Sequence, residues 1–117
     1  MIDAKNVRIG YKVVRHSKNT LVSHNARFDV RYYIGKWTFP FDESGPLCVF
    51  SLLDDALRFS HSCGGSVFKC DYVKSSLRSV WRVCHKNKYN VVNVKRLPNG
   101  TKLADSVKLM GKEIFVK

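Results

Sequence analysis

An α+β fold, with one helix (about 51–62) packed on a mostly antiparallel, curved β-sheet, follows from three features of the chain. Residues 51–62 repeat their apolar side chains at helical spacing, between a polar start and a pair of glycines. Several short runs, above all 66–73, instead alternate apolar and polar residues. No repeat, low-complexity tract or Pro/Gly/Ser-rich linker divides the 117 residues, so a single domain over 1–117 is expected.

The elements follow in order. Tyr11 to His16 is β-rich and alternates imperfectly, which predicts a strand. Ser17 to Thr20 reads as a turn and Leu21 to Ser23 as the returning strand of a hairpin. Val30 to Thr38 reads as a further strand, with Gly35 as a bulge. Phe39 to Pro46 holds two prolines, a glycine, Asp42 and Glu43, the composition of a loop. Leu47 to Phe50 is a short, fully apolar strand. It runs directly into the helix, for which Ser51 is the expected N-cap and Asp54 the returning acid of a capping box. Asp54 and Asp55 place negative charge where the helix dipole favours it, and Cys63-Gly64-Gly65 supplies the stop.

Beyond the helix, 66–73 alternates so that Phe68, Cys70 and Tyr72 share one side and Val67 and Val73 the other. Residues 76–85 fit either period, with Leu77, Trp81 and Val83 on one face of a strand, or Leu77, Val80, Trp81 and Cys84 on one face of a helix. Val91 to Val94 predicts a short strand and Leu97 to Gly100 a turn. Residues 103–109 fit strand or helix. Gly111-Lys112 reads as a turn into a closing strand over 113–117.

At 44% hydrophobic and 12% aromatic residues, the chain can form a core without disulfides or a structural metal. The opening Met-Ile-Asp-Ala-Lys-Asn lacks the apolar stretch of a secretory signal. No apolar run approaches the roughly 18 residues of a spanning helix. The expectation is a cytoplasmic protein (nuclear if the host is eukaryotic) with no membrane partner. In that reducing setting Cys48, Cys63, Cys70 and Cys84, each in or beside an apolar run, read as free thiols serving as small core residues.

Charge is the most distinctive property. Lys and Arg number 21 against 9 acids, a net of +12, and the excess is lopsided. Residues 1–65 carry 9 basic and 6 acidic side chains, whereas residues 66–117 carry 12 and 3, a net of +9. Such a field attracts polyanions and is silent about fold.

The runs Tyr11-Lys-Val-Val-Arg15, Gly45-Pro-Leu-Cys-Val-Phe50, Leu53-Asp-Asp-Ala-Leu-Arg-Phe59, Val67-Phe-Lys-Cys70, Pro98-Asn-Gly-Thr101 and Leu103-Ala-Asp-Ser-Val-Lys-Leu109 together cover most of the chain. They resemble short uncharacterised phage- and virus-encoded proteins in which a strand, a Phe-flanked Ser-Leu…Asp-Ala helix and another strand recur. These motifs are structural. The resemblance implies a viral or mobile-element accessory role and carries over no catalytic residue.

Among the residues able to do chemistry, the cations come first. Arg78, Arg82 and Lys86 are spaced by four, which puts them on one side of a strand about 13 Å apart at roughly 3.3 Å per residue, and equally on one face of a helix. Lys88, Lys95 and Arg96 follow, interleaved with Trp81 and Tyr89. Guanidinium and ammonium groups neutralise phosphates with release of counterions, and aromatics stack on unpaired bases. These six cations are the candidate nucleic-acid or polyanion site. Without a recognised DNA- or RNA-binding motif, contact directed at backbone or shape is expected rather than base readout.

Trp37, Phe39 and Phe41 form a candidate protein contact, as a virus-encoded inhibitor docking on a host protein would present. His61, Cys63, Cys70, Cys84 and His85 lack the paired short spacing of structural zinc ligands. No cysteine stands in an evident activating setting, and the carboxylate doublets read as a loop and a helix first turn. There is no Gly-x-Gly-x-x-Gly or P-loop; a small enzyme with a nucleotide-transferase-like fold is an alternative for which no strand-borne Glu argues. The resulting expectation is a non-enzymatic binding protein with no cofactor, no metal and no catalytic residue, whose partner is nucleic acid or an acidic protein.

Overall fold

The computed structural model describes residues 4–17, 20–22, 30–40, 45–83 and 89–115. In chain order the strands are β1 (Val7–Ser17), β2 (Thr20–Val22), β3 (Arg31–Tyr32), β4 (Trp37–Thr38), β5 (Leu47–Phe50), β6 (Ser66–Lys74), β7 (Ser79–Val83), β8 (Tyr89–Asn93) and β9 (Thr101–Ile114). The helix α1 (Leu53–Cys63) lies between β5 and β6, and short 3-10 turns stand at Ala4–Asn6 and Val94–Arg96. The class is α+β, with one helix on a mostly antiparallel sheet.

β1 pairs with β6 from Val7↔Val73 to Val14↔Ser66, and the opposite edge of β6 pairs with β9. β9 in turn pairs with β5, from Leu47↔Ala104 to Phe50↔Thr101. A pairing of Tyr11 with Phe50 joins β5 back to β1. All four contacts are antiparallel, so the strands run β1–β6–β9–β5 and return to β1, a small closed ring. β2 and then β3 extend it from the end of β1, β4 adds to β9, and β7 and β8 form a separate hairpin.

Alternation sends Gly10, Lys12 and Val14 of β1 and Phe68, Cys70 and Tyr72 of β6 inward together. Leu47, Val49, Ala104, Val107 and Leu109 meet them, and Val30 and Tyr32 close the cluster. A register shift between Val73 and Lys74 lets both Ala104 and Val107 point inward despite their odd spacing. On the outer side, Ala56 of α1 packs with Val13, Phe50 and Val67, flanked by Leu53, Leu57 and Phe59. The Phe50 and Phe59 rings lie 5.5 Å apart between centroids.

Several expectations change. The helix begins at Leu53, with Leu52 in extended backbone at its cap and no side chain capping it. Ser51 is not the cap because Phe50 is still paired to Thr101, and the Ser51 amide donates to the Gly100 carbonyl at 3.2 Å. Gly35 is no bulge: residues 33–36 turn sharply between β3 and β4, and Gly35, at φ 83°, donates its amide to the Leu109 carbonyl at 2.8 Å. Residues 79–83 and 103–109, open between two periods, are strand. β9 also runs on through Gly111 and Lys112, where a shift in pairing against β6 replaces the expected turn. The end of α1 is as expected, with the Gly64 amide donating to the Ser60 carbonyl at 2.8 Å.

Two residues inside the ring are unusual. A Cβ on Gly10 would sit 2.7 Å from the Tyr72 ring and 2.8 Å from the Phe50 carbonyl, so the approach of β5 to β1 needs glycine there. Lys12 is buried at 5% exposure; its Nζ donates to the Cys48 carbonyl at 2.6 Å and lies 5.4 Å from the centre of the Tyr32 ring. Burial pulls the Lys12 ammonium below the ordinary lysine value of 10.5, against the opposing influence of the Cys48 and Cys70 thiols.

Gly10→Ala is expected to destabilise the fold by about 1–3 kcal/mol, read as a lower midpoint in urea unfolding, since β5 or Tyr72 must shift. Lys12 carries the opposite sign. Its folded-state pKa lies below its unfolded one, so it weakens the fold at neutral pH, and that penalty fades as pH rises through the folded value towards 10.5. Lys12→Met should therefore be at least as stable as the wild type at neutral pH, and its advantage should shrink at about pH 10. A wild-type-minus-variant difference independent of pH contradicts this.

Candidate polyanion interface

β6 ends and β9 begins at the same end of the ring, where Lys74 pairs with Ala104 and the Ser75 amide donates to the Leu103 carbonyl at 2.8 Å. The Ser75 hydroxyl then accepts the Leu77 amide at 3.0 Å, a local turn that sends the chain outward into the β7–β8 hairpin. At the base of that hairpin the Val94 amide donates to the Arg78 carbonyl at 2.7 Å, next to the Ser79↔Asn93 pair. The Asn93 side chain accepts the Lys95 amide at 3.0 Å and starts the 3-10 turn that carries Lys95 and Arg96. Thr101 closes the return, donating both its amide and its hydroxyl to the Pro98 carbonyl.

Backbone hydrogen bonds thus bring Arg78 beside Lys95 and Arg96 although 17 positions separate Arg78 from Lys95. All three side chains are exposed, and among the described residues none is ion-paired. Lys74 and Lys102, also exposed, stand at the same end on the last residue of β6 and the second of β9. Carboxylates are nearby too. The Ser51–Gly100 bond ties the start of α1 to this end, bringing Asp54 and Asp55, and Asp55 is engaged by Arg58 at 3.6 Å.

Of the six cations singled out in the sequence, Arg78, Lys95 and Arg96 come together here. Arg82 lies within β7 opposite Asn90, and Lys86 and Lys88 lie outside the described residues. Sequence reasoning missed Lys74 and Lys102, which look like ordinary solubilising lysines until the strand ends are known. Lys69, Lys108 and Lys112 lie elsewhere along β6 and β9, so the C-terminal excess is divided between this end and the sheet face.

Of the aromatic trio, Trp37 is half-buried with the Lys108 ammonium 5.2 Å from its ring centre, Phe39 is 59% exposed, and Phe41 lies outside the described residues. The thiols divide in the same way. Cys70 is buried and its thiol is pushed up to about 12 by burial, as a core residue should be. Cys63 departs from the expectation: it is exposed, at the last residue of α1 before Gly64. Cys48 is half-buried, while Cys84 and His85 lie outside the described residues. Among the described residues no three His, Cys, Asp or Glu side chains gather as metal ligands would, and no helix is long and apolar enough to cross a membrane.

Comparison with protein-family models, curated proteins and solved structures finds no match to this chain. The reading of the site therefore rests on its own chemistry. Under native conditions, alkylation followed by peptide mass mapping should label Cys63 well before Cys70, whose thiol is both shielded and protonated. Equal labelling rates would contradict the burial of Cys70.

Proposed function

We propose that this chain is a small, basic, non-enzymatic binding protein that engages the phosphates of nucleic acid through the end of the ring bearing Arg78, Lys95 and Arg96, with Lys74 and Lys102 beside them. The observation that carries the reading is the hydrogen-bonded hairpin base, to which two distant stretches of chain bring three exposed cations that have no ion pair among the described residues. A net charge of +12 supports it from a distance by steering polyanions towards the surface. Each cation that meets a phosphate releases condensed counterions, so binding draws its free energy largely from salt and not from base identity. In sequence, Arg82, Lys86 and Lys88 extend the same run. The resemblance to short virus-encoded proteins favours an accessory role in which such a binder acts on viral or host nucleic acid.

Titration of RNA and DNA at about 50 and about 200 mM salt tests the reading. Affinity should fall steeply with salt, and Arg78→Ala/Lys95→Ala/Arg96→Ala should weaken binding across all sequences and reduce the salt slope by about 3, roughly 1 per lost contact. No binding at the lower salt, or a triple variant that binds as the wild type does, overturns it.

A further inference from the structure

The outer face of the sheet is half covered by α1, which packs over Val13 and Val67. Past the helix the face is open. Ile9, Asp71, Lys108 and Trp37 stand in one row across β1, β6, β9 and β4, each the direct antiparallel partner of the next. Tyr11, Lys69 and Met110 form the adjoining row on one side; on the other, Val7 and Val73 are half-buried and Ser106 is buried at 1% exposure, which bounds the open part. Ile9 is 59% and Met110 37% exposed, Lys69 is exposed, and Phe39, one residue beyond β4, stands at the margin. Asp71 is the one carboxylate in these rows, against Lys69 and Lys108.

We infer that this open face is a platform for a single-stranded stretch of nucleic acid, whose bases stack on Trp37 and Phe39 while Lys69 and Lys108 meet the phosphates. The inference rests on the phosphate-binding reading above and adds the form of nucleic acid recognised. Charge complementarity selects the occupant: the face carries Lys69 and Lys108 against Asp71 on a chain of net charge +12, and Trp37 lies directly across from Lys108. The Lys108 ammonium lies over the Trp37 ring, 5.2 Å from its centre, so a base that stacks there takes the place of the ammonium and leaves it to meet the phosphate. A duplex keeps the faces of its bases stacked internally and gains nothing from the rings. An unpaired strand offers every base to them.

A short mixed-sequence oligonucleotide, presented single-stranded and as a duplex with its complement, separates this inference from the reading beneath it. The single strand should bind more tightly. Phe39→Ser, at a position exposed enough to leave folding untouched, should lower single-strand affinity about tenfold without changing the salt slope, because the ring carries no charge. Lys108→Gln should reduce that slope by about 1. In a Trp81→Phe background the remaining Trp37 emission should be quenched by the single strand. Wild-type affinity in Phe39→Ser, together with a reduced salt slope in the Arg78/Lys95/Arg96 variant, overturns the platform and spares the phosphate reading. Binding of neither form by the wild type sinks both. Phe39-dependent capture of an acidic protein by a chain that ignores oligonucleotides assigns the face to a protein partner and also overturns the inference.

Discussion

The pairing of Tyr11 with Phe50 turns a curved sheet into a ring, and most of what is distinctive in this protein depends on it. β5 is four residues long, and its place between β9 and β1 requires the Phe50 carbonyl to pass close over Gly10. Once the ring closes, its interior is sealed by Phe68, Cys70, Tyr72, Val107 and Leu109, and Lys12 is sealed in with them. A buried ammonium with a carbonyl and a ring for company is expensive in free energy. It persists here because its strand is pinned on both edges, by β6 along its length and by β5 and β2 at the other side.

Closure also distributes the charge. By fixing where β6 stops and β9 starts, it gathers Lys74, Lys102 and the base of the β7–β8 hairpin at one end, and leaves Lys69 and Lys108 on the uncovered outer face. The two surfaces differ in kind. The end offers exposed cations on a turn and at strand ends, suited to diffuse contact with phosphate, whereas the face sets lysines among paired strands and an aromatic ring. A chain of this size has little surface, so both lie within reach of one extended polyanion.

Local pattern made much of this legible. The amphipathic stretch that became α1, its glycine stop, and the inward side of Phe68, Cys70 and Tyr72 were all written in short-range periodicity. The β1–β2 hairpin was too. Closure was not, because a single Tyr11–Phe50 contact between strands 39 residues apart leaves no periodic trace. Lys12 had the parity of an inward residue, but its charge argued for solvent. Residues 79–83 satisfied both periods, and only pairing with β8 decided between them. The site was half visible for the same reason: the sequence showed Arg78 in a spaced row and Lys95 and Arg96 in the run after it, while their proximity arises from the Val94–Arg78 hydrogen bond.

Closure of the ring is most directly tested by nuclear magnetic resonance on the intact chain. A cross-strand nuclear Overhauser effect between the backbone protons of Tyr11 and Phe50, accompanied by slow exchange of the β5 amides, is the predicted result. A Tyr11–Lys69 effect of normal strength with none between Tyr11 and Phe50, and β5 amides that exchange at once, would show an open sheet and contradict the account.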